Sequence, residues 1–255
     1  MNETPEGIAL HACPLCNSAR IGFYLEIKGY RHDRCTDCGF AFLNPMPDQR
    51  RLNATYQGWR QINQAFYPHA GSRGRKSLLR GLRLWGYLRG KRVLDVGCGG
   101  GFFVNAARRL GAEATGLDVD TGSIAYARRE FPACRFECMS YDNYRPERKF
   151  DFIHCSEVIE HVSNPHDLMK LFAATLAPGG HIFITTPDLG SPNLPANVAD
   201  WAGFSPPVHV GLFTEGNLRQ LFDQYGFALV KKFPIRKTGM KLLFQFRPRP
   251  APKVE

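Results

Sequence analysis

Seven short apolar runs punctuate the chain beyond residue 90, at 92–96, 113–117, 134–138, 150–155, 181–186, 226–232 and 241–246. Between several of them lie stretches whose apolar residues recur at helical spacing: 101–110, 121–130, 164–176 and 214–224. Strand-length runs alternating with helical periodicity predict repeated βα units. The expected fold class is therefore α/β, a doubly wound sheet of seven mostly parallel strands with helices on both faces. Only a short basic stretch separates the last two runs, so they are expected to pair antiparallel at one edge. Pro178-Gly179-Gly180 marks a turn ahead of the fifth strand.

Upstream the pattern differs. Cys13-Pro14-Leu15-Cys16 and Cys35-Thr36-Asp37-Cys38 are two CxxC knuckles, with Phe23-Tyr24-Leu25-Glu26-Ile27 between them as a candidate hairpin arm. Each knuckle sets two thiolates on one side of a tight turn, and four thiolates close a tetrahedral Zn²⁺ site with no open position. A small N-terminal four-cysteine zinc ribbon over residues 1–45 is expected, with zinc in a structural role. Residues 46–90 read as a basic, mostly helical connector. There Leu78, Leu82, Trp85 and Leu88 recur at helical spacing with Lys76, Arg80 and Arg83 on other faces. That stripe is expected to pack on the core; a helix lying on a membrane surface is the alternative. Residues 91–255 form the α/β domain, with 189–213 as a substrate lid before the last helix. Cys98, Cys134, Cys138 and Cys155 read as small buried hydrophobes.

The run Val93-Leu94-Asp95-Val96-Gly97-Cys98-Gly99-Gly100-Gly101 ends a strand in alternating glycines and enters a helix. Without Cβ atoms, such a loop brings bare backbone N–H groups against a ligand. Asp118, about 20 positions on, suits a pair of ribose hydroxyls.

Composition is ordinary for a globular protein at 44% hydrophobic and 22% charged residues, but the net charge of +10 is unevenly placed. No carboxylate occurs from Gln49 to Leu94, where Arg50, Arg51, Arg60, Arg73, Arg75, Lys76, Arg80, Arg83, Arg89, Lys91 and Arg92 stand. Between Asp223 and Glu255 there are again only cations, among them Lys231, Lys232, Arg236, Lys237, Lys241, Arg247, Arg249 and Lys253. The asymmetry suits an anionic acceptor, RNA or acidic lipid headgroups, and equally a solvated basic face. The polar start Met1-Asn2-Glu3-Thr4-Pro5-Glu6 and the absence of long apolar runs make a cytoplasmic protein the expectation.

These residues resemble class I S-adenosylmethionine-dependent methyltransferases over roughly residues 90–232. Asp95-x-Gly97-x-Gly99-x-Gly101 matches that family's first motif, Phe150-Asp151-Phe152-Ile153 resembles its fourth-strand signature, and Leu176-Ala177-Pro178-Gly179-Gly180 its turn before strand five. The resemblance implies a Rossmann-like fold and S-adenosyl-L-methionine as cofactor. It implies that Gly97, Gly99 and Gly101, with Cys98, line the methionine half. Asp95 orders the loop and reaches the amino group, and Asp118 with Val119 takes the ribose. Tyr141 and Asp142, near Ser140, lie at the adenine, and Ser156 ends the fourth strand beside the cofactor. Asp120 reads as a helix cap.

Glu157-Val158-Ile159-Glu160-His161 follows the fourth strand, and positions i, i+3 and i+4 share one helical face. His209 follows later, just ahead of the last helix. Together Glu157, Glu160, His161 and His209 suit a divalent cation such as Mg²⁺ or Mn²⁺, direct acid–base work on a hydroxyl, or a structural role. The pattern resembles that of ubiquinone-biosynthesis O-methyltransferases and of small-RNA terminal 2′-O-methyltransferases. O-methylation of a small or medium-sized metabolite is the leading expectation. RNA methylation, sugar C-methylation and a non-catalytic cofactor-binding adaptor are the alternatives.

Overall fold

The computed structural model describes residues 7–59, 65–235 and 237–248. The polar start at 1–6, the basic positions Arg60, Arg236, Arg249 and Lys253, and the proline-rich end from 249 onward lie outside the described residues. Three strands open the chain: β1 (Ile21–Ile27), β2 (Tyr30–Cys35) and β3 (Ala41–Leu43). Helices α1 (Gln49–Trp59), α2 (Ala70–Arg83) and α3 (Trp85–Leu88) follow. Then strands and helices alternate: β4 (Arg92–Val96), α4 (Phe102–Arg109), β5 (Glu113–Asp118), α5 (Thr121–Glu130), β6 (Arg135–Cys138) and β7 (Phe150–Ser156). The chain continues through α6 (Pro165–Thr175), β8 (Leu176–Pro187), β9 (Gly211–Leu212), α7 (Glu215–Gln224), β10 (Phe227–Lys232) and β11 (Gly239–Phe246).

The larger sheet has seven strands in the order β10-β11-β8-β7-β4-β5-β6. Strands β8, β7, β4, β5 and β6 are parallel, and β11 and β10 close the edge antiparallel. Covered on both faces, the central strands read as near-continuous apolar runs: Val93, Leu94, Phe152, Ile153, Ile182 and Ile184 are all buried. Strand β8 begins earlier than expected. Residues 177–180 loop out between the pairs Phe150–Leu176 and Phe152–His181, which keeps the Pro-Gly-Gly turn as a bulge. Helix starts are fixed by side-chain caps: Asp120 accepts from Ser123 N, Asn164 precedes Pro165, and Thr214 and Asn217 form a capping box.

The apolar stripe expected on α2 is out of phase with the observed packing. Leu82 is 53% and Trp85 46% exposed, whereas Gly81 and Leu84 are buried; of the expected stripe only Leu88 is buried, with Leu78 half-buried. The reason is close helix approach: a Cβ added at Gly81 meets Leu110 Cδ1 at 2.7 Å. Backbone-to-helix contact of that kind selects a glycine face over a leucine face. Arg80 accordingly turns inward, not to solvent.

The second sheet has the order β1-β2-β3-β9. The N-terminal ribbon is thus completed by a strand from the far end of the chain, with Ala41 opposite Leu212 and Phe42 opposite Gly211. The segment 189–213 packs onto this sheet, where Leu189, Trp201, Phe204 and Leu212 form one cluster with Ala41 and, at its margin, Tyr24 and Leu25. Trp201 also donates to Thr238 Oγ1 at 2.7 Å.

Candidate active site

Strand β4 ends at Val96, and the chain then turns through positive φ at Gly97 (70°), Gly99 (51°) and Gly101 (76°). Two of these glycines keep space open at the top of the sheet. A Cβ at Gly97 meets Val158 Cγ2 at 2.4 Å, and one at Gly99 meets the Tyr67 hydroxyl at 2.6 Å. Gly101 does something else. Its Cβ would strike Phe136 at 2.6 Å, so it seats α4 against β6 and does not line the cavity.

A cavity of about 550 Å³ opens over these strand ends. Asp118 lines it, and both of its oxygens are held by backbone: Oδ2 accepts from Gly99 N at 2.7 Å and Oδ1 from Asp120 N at 2.9 Å. A carboxylate oxygen accepts twice, so each keeps a lone pair for a further donor. Burial raises the Asp118 pKa, and those two N–H groups hold the rise in check. Val119, Cys98, Met139 and Tyr141 line the same end. Asp142 does not. The tight turn Tyr141–Asn143 points Tyr141 inward and leaves Asp142 exposed. Of the other cysteines, Cys98 and Cys155 are buried as expected, whereas Cys134 and Cys138 are only partly covered.

Beneath the glycine loop runs a hydrogen-bonded chain that spacing alone did not reveal. His154 Nδ1 donates to Asp95 Oδ1 at 2.6 Å, with both side chains buried. Arg80 Nη1 donates to His154 Nε2 at 3.0 Å and to Ser156 Oγ at 2.9 Å. An arginine only donates, so His154 carries its proton on Nδ1 and accepts at Nε2. Burial lowers its pKa and keeps it neutral. Ser156 Oγ then lies 2.7 Å from Thr185 Oγ1, which donates to Glu157 Oε1 at 2.7 Å. Every hydrogen from Arg80 to Glu157 thus points the same way. His154 was detectable in principle, since a polar residue inside Phe152-Ile153-His154-Cys155 needs a buried partner. Arg80 was not, being one cation among many.

On the opposite bank, Glu160, His161 and His209 converge, with one ligand atom of each within 4.8 Å of the others. Glu157 does not join them. The chain leaves β7 through a left-handed residue at Glu157 (φ 58°) and forms only a single tight turn, Ile159–His161, so the expected helical face does not exist. Glu160 is wholly buried; Oε2 accepts from Thr186 Oγ1 at 2.9 Å, while Oε1 has no hydrogen-bond partner. Burial first, and Glu157 second, push its pKa well above the ordinary carboxylate range. His161 Nδ1 meets the carbonyl of Val208 at 2.8 Å, and His209 Nδ1 meets that of Gly203 at 2.7 Å. Each ring therefore donates from Nδ1 to backbone, which sets Nε2 as the lone-pair nitrogen. Val210 N donates to the Glu160 carbonyl at 2.8 Å, and Leu43 N to the Val210 carbonyl at 2.9 Å, which ties the histidine loop to the ribbon.

The four cysteines of the ribbon also converge. Cys13 Sγ lies 3.7 Å from Cys38 Sγ, and Cys16 Sγ 3.6 Å from Cys35 Sγ, and none is in a disulfide. Packed together, Cys16 has its pKa raised to about 11, with burial the first cause.

A sequence profile described as a methyltransferase domain matches residues 72–232, well over half of the chain. The chain belongs to the methyltransferase domain family. This chain is 37% identical over 104 residues to the ubiquinone biosynthesis O-methyltransferase of Proteus mirabilis, covering 38% of this chain and 42% of that protein. It is 35% identical over 109 residues to the enzyme of the same name from Bordetella avium, covering 40% and 45%. The match thus spans less than half the length of these curated relatives. Among solved structures, magnesium protoporphyrin IX methyltransferase from Synechocystis PCC 6803, with bound S-adenosylhomocysteine, superposes with a TM-score of 0.60. That pair is 17% identical and covers 78% of this chain and 100% of the other. The PH0226 protein of Pyrococcus horikoshii OT3 gives 0.58 at 19% identity, covering 77% and 99%. Identity so low speaks for the fold alone. The seven-stranded order and the family match give this chain the Rossmann-like fold of a methyltransferase domain.

Proposed function

We propose that this chain transfers a methyl group from S-adenosylmethionine to a hydroxyl oxygen of a small or medium-sized anionic metabolite, beside a divalent cation held by Glu160, His161 and His209. The observation that carries the reading is the build of that triad. A buried carboxylate oxygen has no hydrogen-bond partner, and two imidazoles beside it are each anchored through Nδ1 on a backbone carbonyl. Histidines that ligate metals are oriented in this way by the groups behind them. One carboxylate with two imidazoles favours Mn²⁺ over Mg²⁺, which prefers an all-oxygen shell. Three protein donors leave positions open for an acceptor oxygen. The names of the relatives in Proteus and Bordetella, both O-methyltransferases, support oxygen as the target.

The residues fit the cofactor as well. Gly97 and Gly99 leave room that a Cβ would fill, Asp118 keeps two lone pairs for the ribose, and Met139 and Tyr141 flank the adenine end. Asp95 and Arg80 bring opposite charges to the methionine end, where the zwitterion has one of each. The bound sulfonium supplies the methyl group and its own leaving group, so the protein must supply a deprotonated nucleophile in line and near contact. A divalent cation supplies that by lowering the pKa of the acceptor hydroxyl. Glu157, aligned by Thr185, is the side chain set to take the released proton. Arg73 and Lys76 on the cavity wall, with Arg83 and Lys241 near Arg80, favour an acceptor that carries negative charge.

The ribbon holds zinc in this reading. A tetrahedral centre with Zn–S near 2.3 Å spaces its sulfurs about 3.8 Å apart, and the observed separations are 3.6 and 3.7 Å. Four thiolates leave no site for substrate, so the ion stabilises.

The test combines Mn²⁺ titration by calorimetry with transfer of a labelled methyl group into the small-molecule fraction of a cell extract. Expected are a Mn²⁺ site lost in Glu160→Gln and His209→Ala with cofactor binding retained, and label recovered as a methyl ether. Label on nitrogen or carbon, or Mn²⁺ uptake indifferent to both substitutions, rejects the proposal.

A further inference from the structure

Helix α2 has two working faces, and only one belongs to the cavity. Arg73, Lys76, Ser77 and Arg80 line the cavity, and Gly81 seats the helix on the domain. The remaining face carries Leu79, 61% exposed, and Leu82, 53% exposed, and Trp85 at the start of α3 is 46% exposed. Leu79 and Leu82, at i and i+3, share one face of α2, and Trp85 opens α3 two residues after α2 ends. Around them stand the exposed cations Arg75, Arg83 and Arg89, and the Arg89 guanidinium lies 5.3 Å from the Trp85 ring centroid. No acidic residue occurs from Gln49 to Leu94 to neutralise them.

We infer that this face is an interfacial docking surface for an anionic lipid bilayer. Apolar residues flanked by Arg and Lys, on a helix held outward by its other face, are what a headgroup–acyl boundary binds: leucine and tryptophan enter the boundary while the cations meet lipid phosphates. Charge decides against the other occupants. A second copy of this chain would bring the same cations together without counter-charge. A nucleic acid would satisfy the cations and leave two leucines against a polar backbone with nothing to bury them. The chain docks and does not insert, since among the described residues no helix is long and apolar enough to cross a membrane. The inference stands apart from the acceptor and the cation, because neither contributes to the patch.

The test is co-sedimentation of the full chain with unilamellar vesicles, either pure phosphatidylcholine or one-third phosphatidylglycerol. Binding to the anionic vesicles alone is expected, together with a blue shift of tryptophan emission that Trp85→Phe abolishes. Leu79→Glu with Leu82→Glu alters only outward side chains. That double variant should cut the partition roughly tenfold or more, as lost insertion of two leucines implies. Cofactor binding by calorimetry confirms that the variant is folded. Arg75→Glu with Arg83→Glu should weaken partition as well, and added salt should do the same. Partition unchanged in the leucine variant, equal binding to neutral vesicles, or preferential binding to single-stranded RNA that ignores the leucines each overturns the inference.

Discussion

The cysteine tetrad and the Glu160–His161–His209 triad are both clusters of metal-competent side chains, yet they are built on opposite plans. The tetrad draws its donors from two knuckles adjacent to one short hairpin, and Cys13 and Cys35 are buried within apolar packing. The triad draws on the turn after β7 and on a loop nearly fifty residues later; its two histidines line a cavity, with Glu160 wholly buried beside them. Four soft donors close a site; three mixed donors leave one open. The clusters are nonetheless one mechanical unit, because Leu43 of the ribbon bonds Val210, which bonds Glu160. The β3 strand of the cysteine module and the open site are thus joined by two backbone hydrogen bonds.

That relation can be broken from the cysteine side first. Cys35→Ser, at a wholly buried position, is expected to abolish zinc retention and lower the melting temperature by roughly 10 °C or more, as loss of several kcal/mol in a chain of this size implies. Metal analysis and thermal melts check it, and an unchanged melt would detach the ribbon from the fold. Breaking the open site comes next. Glu160→Gln keeps the volume and an acceptor for Thr186 but removes the oxygen that would become an anionic ligand to the proposed cation, so methyl transfer should fall by about 10²–10³ while cofactor affinity and melting hold. Turnover at wild-type rate in that variant would show that the triad is not where the chemistry happens.

A sharper probe severs the link. Val210→Pro deletes the N–H that the Glu160 carbonyl accepts, a loss on the order of 1–3 kcal/mol, or about ten- to a hundred-fold in activity. Zinc content should stay whole, and a parallel loss of zinc would mean the ribbon depends on the site instead. The pH dependence of cofactor affinity is gentler. Asp118 must be ionised to accept from ribose hydroxyls, and burial raises its pKa. Affinity should therefore weaken as pH falls, starting above the usual aspartate range, and Asp118→Asn should flatten the profile. The last effect is spread over pH and concerns His32 on β2. His32 is buried with its pKa lowered from 6.5 to about 4, so between those values the unfolded chain binds a proton that the folded chain does not. Stability should then fall by about 1.4 kcal/mol per pH unit on acidification across that window. Denaturant titrations of wild type and His32→Leu measure the difference.

Much of this was legible beforehand because it rests on short-range rules. The seven strands and four helices of the α/β domain emerge within a few residues of their apolar patterns, since each pattern is set by burial on one or both faces. The glycine loop, Asp118 and the cysteines were visible because their chemistry admits few residue types. What stayed hidden depends on contacts between distant segments. Leu82 and Trp85 read as core because spacing gives a period and no phase, and only Gly81 against Leu110 sets the phase. Arg80 gave no sign among its neighbours that it bonds His154. Glu157 left the triad because a single left-handed residue breaks the helical geometry that its spacing assumed.

The pairing of β3 with β9 also sets an order of assembly. As the chain emerges from the ribosome, the cysteine hairpin appears before the α/β domain, but the edge of β3 waits until residues 211 and 212 have been made. By then five parallel strands of the central sheet are available to fold behind it. Long-range closure of that kind is slow, and an unpaired edge invites wrong partners meanwhile. A hairpin translated ahead of the central sheet is sealed only after it, and sealing it brings the histidine loop into register.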